Sequence, residues 1–168
     1  MTAFQGKDFT GFWETTPYSE SHYREIRPDV QLITEIEAEL GYRFPDAYVD
    51  LMRRQNGGLL NHQFFPFEGE EEAGIFVTGI MGIGRTKMYS LCGVFGSRYW
   101  IREWGYPPIG IVIGQTPSAG HQLIFMDYRE CGSTGEPSVV LVDQEANYKI
   151  TELAPDFESF IRGLRKKQ

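Results

Sequence analysis

The sequence has little cysteine, little histidine and no long apolar run, and each shortage removes a class of function. Cys92 and Cys131 are the only cysteines and form no CxxC pair. Neither a disulfide framework nor a thiolate zinc site is expected, and reduced thiols in a cytoplasmic protein are the natural reading. His22, His62 and His121 lie far apart, with no HxH or HxxxH pair, so each reads as a polar edge residue and not as a ligand or acid–base group. No stretch approaches membrane-spanning length, and residues 1–8 hold no apolar leader core, which argues against a membrane partner. Positive charge is also short: 16 Lys and Arg against 23 Asp and Glu give a formal charge of −7. That balance argues against nucleic acid, whose phosphates need concentrated Lys and Arg, and is compatible with a basic protein partner.

What is present describes a folded domain. Apolar residues make up 41% of the 168 positions and aromatics 14%, enough to bury about 70% of the unfolded chain's surface at this size. Residues 1–27 are rich in rings (Phe4, Phe9, Phe12, Trp13, Tyr18, Tyr23) without a clean period. An irregular segment packed on the core is expected, because that many free rings would aggregate. Pro28 opens a helix with Val30, Ile33, Ile36 and Leu40 inward, Glu35, Glu37 and Glu39 outward, and Gly41 at its end. Pro45-Asp46 opens a second helix with Tyr48, Leu51 and Met52 at helical spacing, stopped by Asn56-Gly57-Gly58.

Strands follow at Leu59–Phe67 and Gly74–Ile80, separated by the acidic run Glu68-Gly69-Glu70-Glu71-Glu72. In the second, Phe76 and Ile80 share one face. Ser97–Trp104 reads as a short helix and Ile109–Ile113 as a strand. Leu123–Tyr128 and Ser138–Val142 then form a hairpin across a glycine-containing link, with runs so continuously apolar that both faces must be covered. Tyr148–Ile150 can add a strand. A last helix opens at Pro155-Asp156 and ends in a basic tail suited to its negative pole. The expected class is α+β: a twisted, mostly antiparallel sheet packed by an N-terminal helix pair, a short middle helix and a C-terminal helix.

Chemistry is harder to find. Gly79-Ile80-Met81-Gly82-Ile83-Gly84-Arg85-Thr86 has the spacing of a phosphate loop but puts Arg where lysine is needed, and no amphipathic helix follows. The plainer reading is a glycine-rich strand and turn packed closely on a neighbour. Asp127, Glu136, Asp143 and Glu145 sit at the ends of the hairpin as an acidic rim, with none of the alternation of a calcium loop. Ser118 and Ser133 lack a nucleophile-elbow context, and Cys131 lacks a basic activator. No catalytic residue, metal site or cofactor motif emerges, so a binding domain is expected.

Ile36-Glu37, Leu40-Gly41-Tyr42-Arg43-Phe44-Pro45, Tyr48, Leu51-Met52 and Gln55-Asn56-Gly57-Gly58 together resemble the SUKH superfamily, the Smi/Knr-like proteins. Phe12-Trp13, Tyr18, Gly79–Gly84, Tyr89-Ser90-Leu91 and Glu103-Trp104-Gly105-Tyr106-Pro107 look like one bacterial subgroup of it. So do Pro117–His121, Asp127-Tyr128, Gly135-Glu136-Pro137, Val142–Glu145 and Phe157–Gly163. The resemblance runs over almost the whole chain and implies one SUKH-like domain over residues 1–168. It implies an intracellular immunity protein that binds and neutralises a cognate polymorphic toxin, often a nuclease. The alternative it carries is a scaffold or regulatory protein tied to cell-wall synthesis or signalling. Gly57-Gly58, Trp104 and Pro107 then look structural. An acidic plug suits a basic nuclease site, and steering would speed its docking. Glu68, Glu70, Glu71 and Glu72 are the first candidates for that contact, and the rim Asp127, Glu136, Asp143 and Glu145 the second.

Overall fold

A computed structural model describes residues 3–167. The fold is α+β, built on a six-stranded antiparallel sheet. Its strands are β1 (Gly58–Leu59), β4 (Gly79–Ile80), β5 (Gly110–Gln115), β6 (Gln122–Asp127), β7 (Ser138–Asp143) and β8 (Lys149–Ala154), paired in the order β1-β4-β5-β6-β7-β8. A separate pair joins β2 (Phe64–Pro66) to β3 (Gly74–Phe76). The helices are α1 (Pro17–His22), α2 (Val30–Leu40), α3 (Asp46–Arg54), α4 (Ser97–Glu103) and α5 (Phe157–Gly163).

The hairpin of β6 and β7 lies inside the sheet, between β5 and β8. Leu123–Met126 and Val139–Val142 are buried without a gap. Consecutive residues on a strand face opposite ways, so both faces are covered. Phe125 meets Tyr106 beyond α4, and Phe157 of α5 meets Tyr48 of α3. Tyr48 is fully buried and donates its hydroxyl to Met81 O, which ties α3 to the segment that leaves β4. The buried residues form one cluster from Phe4 to Leu164.

Several local expectations change. The stretch 59–67 is split between the two sheets, as is 74–80, so β1 and β4 stay in the main sheet while β2 and β3 leave it. Ile75 and Val77 are buried and Phe76 is 42% exposed, so Phe76 and Ile80 do not share a buried face. The ringed N-terminus is irregular except for α1, which Thr16 caps through Ser19 N–H. In α2 the cap is Asp29, and Val30 stays 68% exposed because it precedes the turn that reaches the core. Glu37 is not simply outward, since its carboxylate accepts from Phe44 N–H. The end of α3 is an extended Gln55, with the left-handed turn delayed to Gly57 (φ +90°).

Candidate functional site

The phosphate-loop look-alike is occupied by the chain itself. After β4 the backbone turns at Gly82 and Gly84 without entering a helix. The Glu25 carboxylate, 8% exposed, sits in that turn. It accepts from Thr86 N–H at 2.8 Å, Lys87 N–H at 3.2 Å, Thr86 Oγ1 at 2.6 Å and the Ser90 hydroxyl. Burial pushes its pKa up, and these hydrogen bonds more than offset that, leaving it below the usual carboxylate value. A Cβ on Gly84 would stand 2.4 Å from Glu25 Oε2, which is why glycine is required there.

Asn56 completes the same knot. Its amide donates to Ile26 O and Ile83 O at 2.8 and 2.9 Å and accepts from Ile83 N–H at 2.7 Å. Its own carbonyl takes Glu25 N–H. Gly82 must be glycine because a Cβ would lie 2.4 Å from Asn56 O. These polar groups are directed inward and fully matched, so the motif holds the fold and leaves nothing for a ligand.

The acidic run between β2 and β3 is exposed at Glu68, Glu70, Glu71 and Glu72. The basic tail lies over it instead of closing the α5 dipole. Arg165 forms a two-bond antiparallel bridge with Phe64. Its guanidinium reaches Glu71 O, and Lys167 reaches Glu72 O. The tail cations thus meet the loop through its main-chain carbonyls, and Arg165, Lys166 and Lys167 line a groove of about 350 Å³ with Phe64, Glu71 and Glu72.

The hairpin's acidic rim is not one patch. Asp127 pairs with Ser138 at the turn end, whereas Asp143 pairs with Gln122 at the other. Five residues of strand separate the two ends, about 17 Å. Asp143 is structural: it caps a 3-10 turn (Gln144–Ala146) through Glu145 N–H and accepts from Gln122. Glu145 is exposed beside it. Asp127 is 7% exposed and clasped by the Arg129 guanidinium at 2.7–3.2 Å. Burial raises its pKa, but the bonds and charge of Arg129 leave it lowered.

Glu136 differs. Its pKa is raised, first by burial and then by Asp156, Asp46 and Glu158. The fold therefore brings the N-termini of α3 and α5 beside the β6–β7 turn and adds acids that the hairpin alone does not supply. Glu130 and Glu152 join Asp127 and Glu136 in lining a depression of about 400 Å³ next to them. Among the described residues the cations paired there are Arg129, with Asp127, and Arg162, with Glu158. Arg43 passes close by, its backbone bonded to Ser133 and Tyr128. The repeated Pro-Asp steps at 45–46 and 155–156 were the available signal for this convergence, although nothing in sequence spacing brings two helix starts together.

The remaining candidates stay apart. His22 stacks on Tyr18, His62 packs on Phe12, and His121 meets Trp104 and Gln144. Cys92 is held as a thiol, pushed up to about 12 by burial and by Glu39. Ser118 is engaged with Thr116 and Gln122 in a turn. Among the described residues no three His, Cys, Asp or Glu side chains converge to hold a metal ion. Among those residues, too, no helix is long and apolar enough to cross a membrane.

A search of curated proteins found no match. The profile of the SMI1 / KNR4 family (SUKH-1) matches residues 27–163, a span that takes in Asn56, the glycine strand, the whole hairpin and α5. With most of its length matched in that way, the chain belongs to the SMI1 / KNR4 family (SUKH-1).

Proposed function

We propose that this chain is an immunity protein, which binds a cognate secreted toxin and neutralises it by covering a basic active site, with no chemistry of its own. The observation that carries this reading is the acidic end of the sheet, in a chain of this family. There the pKa of Glu136 is raised first by burial and then by the nearby charges of Asp156, Asp46 and Glu158, of which Glu158 is paired with Arg162. Like charges held together at a surface destabilise the free protein slightly and attract a basic partner strongly. A nuclease, which gathers positive charge to hold phosphate, is the toxin class that fits.

Docking is assigned first to Asp46, Glu130, Glu136, Glu152, Asp156 and Glu158. Asp127 supports that surface from beneath. Glu68, Glu70, Glu71 and Glu72 are a secondary contact, since Arg165, Lys166 and Lys167 share a groove with Glu71 and Glu72. Asp143 and Glu145 lie at the far end of the hairpin and are assigned no contact.

The test is co-expression with the C-terminal toxin domain encoded by the neighbouring large reading frame. Survival with the intact chain, lost when Asp46, Glu136, Glu152 and Glu158 are together changed to their amides, is the expected result. Survival unaffected by that change would remove the assignment of the surface. A chain that never rescues would instead favour a scaffold or regulatory role.

A further inference from the structure

Along the β2–β3 loop the C-terminal tail lies extended, and the two line a groove with Phe64. Arg165 pairs with Phe64 through both N–H···O bonds, each 2.9 Å, so the tail is added to β2 as a strand. In an extended segment residues i and i+2 face the same way. Accordingly Arg165 and Lys167 both turn toward the loop. Arg165 Nη2 donates to Glu71 O at 2.6 Å and Lys167 Nζ to Glu72 O at 2.7 Å. Both cations also stand over the Phe64 ring, Lys167 Nζ at 4.2 Å and the Arg165 guanidinium at 5.6 Å from its centre. Phe76 flanks that ring, half exposed, and extends the apolar floor.

We infer that this groove binds extended segments carrying Lys or Arg two residues apart, and that the tail is a strap a basic partner segment displaces. Recognition rests on a strand edge, two main-chain carbonyls and an aromatic face, and the glutamates add a favourable field. Ion pairing adds little to the strap: among the described residues its one ion pair, Lys167 to Glu72 at 3.9 Å, involves a carboxylate that is 96% exposed. Arg165 and Lys167 also lie beyond the segment matched to the family. The inference stands apart from the immunity reading and needs no toxin for its test.

The probe is a synthetic peptide with the sequence of residues 164–168, added to isotopically labelled protein and followed by amide chemical shifts. Two proteins are compared with the intact chain: one ending after Leu164, and, should truncation disturb folding, a full-length Arg165→Ser/Lys167→Ser variant whose tail has lost both cations and yields the β2 edge more readily. Saturable shifts centred on Phe64, Glu71 and Glu72 are expected in both, with the intact chain responding at least about tenfold more weakly because its tail competes at high effective concentration. A peptide with serine at the positions of Arg165 and Lys167 should give no such shifts. Failure of both proteins to respond, or an equal response from the intact chain, would overturn the inference.

Discussion

The Glu25–Asn56 knot and the acidic end of the sheet use the same kinds of polar residue to opposite ends. In the knot every carboxylate and amide group faces inward to a partner a few tenths of an ångström either side of 2.8 Å. At the sheet end the charges of Asp156, Asp46 and Glu158 act on Glu136, whose pKa is raised first by burial and then by them. A buried polar group that is fully matched fixes one structure. A surface group left unmatched is available for association. The motif residues that look most like a site are therefore the frame, and the surface that looks least organised in sequence is the one with work to do.

The comparison is most severely tested at Asn56. Replacing it by alanine strands Ile83 N–H and two carbonyls in the interior, and should cost about 3 kcal/mol in denaturant unfolding. A loss near zero would mean the knot is not what holds α3 to the glycine strand. At the other region, changing Asp46, Glu136, Glu152 and Glu158 to amides should leave the fold intact. It should slow association with the toxin domain about tenfold and flatten its salt dependence, read by stopped flow at two ionic strengths.

The two regions should also respond to pH with opposite sign. Glu25 has its folded pKa lowered below the ordinary 4.5, so its contribution is present above that value and lost as pH falls through the folded pKa. Glu25→Gln should cost about 1 kcal/mol at neutral pH, with the deficit shrinking in acid. Glu136 has its folded pKa raised, so its repulsion from Asp156, Asp46 and Glu158 is absent in acid and grows as pH rises. Glu136→Gln should stabilise by a few tenths of a kcal/mol, roughly, at neutral pH and by nothing near pH 4. The smallest effect is expected from Glu70→Ser/Glu71→Ser/Glu72→Ser, exposed charges on a loop that already lies against the basic tail: less than about twofold in association rate. A larger drop than that of the sheet-end variant would reverse the ranking of the two surfaces.

Much of the frame was legible because it depends on local pattern. The apolar runs of β6 and β7, the spacing of Ile33 and Ile36, and Phe157, Phe160 and Ile161 on α5 each report burial directly. The tight glycines at 79–84 were readable as close packing: Gly79 lies against Gly58 and Tyr23, Gly82 against Asn56 and Gly84 against Glu25. The breaks at 60–63 and 77–78 were not read as changes of sheet, since only pairing partners decide which sheet a strand joins. The acidic rim was misjudged as a unit because residues at the two ends of a hairpin are close in sequence list but a strand's length apart in space. Its true neighbours, Asp46, Asp156 and Glu158, come from helix starts 90 residues or fewer away in either direction, and charge adjacency of that kind is a product of topology. The run 68–72 misleads in the converse way, since its cations arrive from the far end of the chain.

The central claim is that the chain neutralises a toxin by binding it through the acidic sheet end. The most direct measurement is survival of cells that express the neighbouring toxin domain together with the intact chain or with its Asp46/Glu136/Glu152/Glu158 amide variant, both confirmed folded by their unfolding midpoints. The account predicts rescue by the intact chain and loss of rescue by the variant. Equal rescue by the two would contradict it.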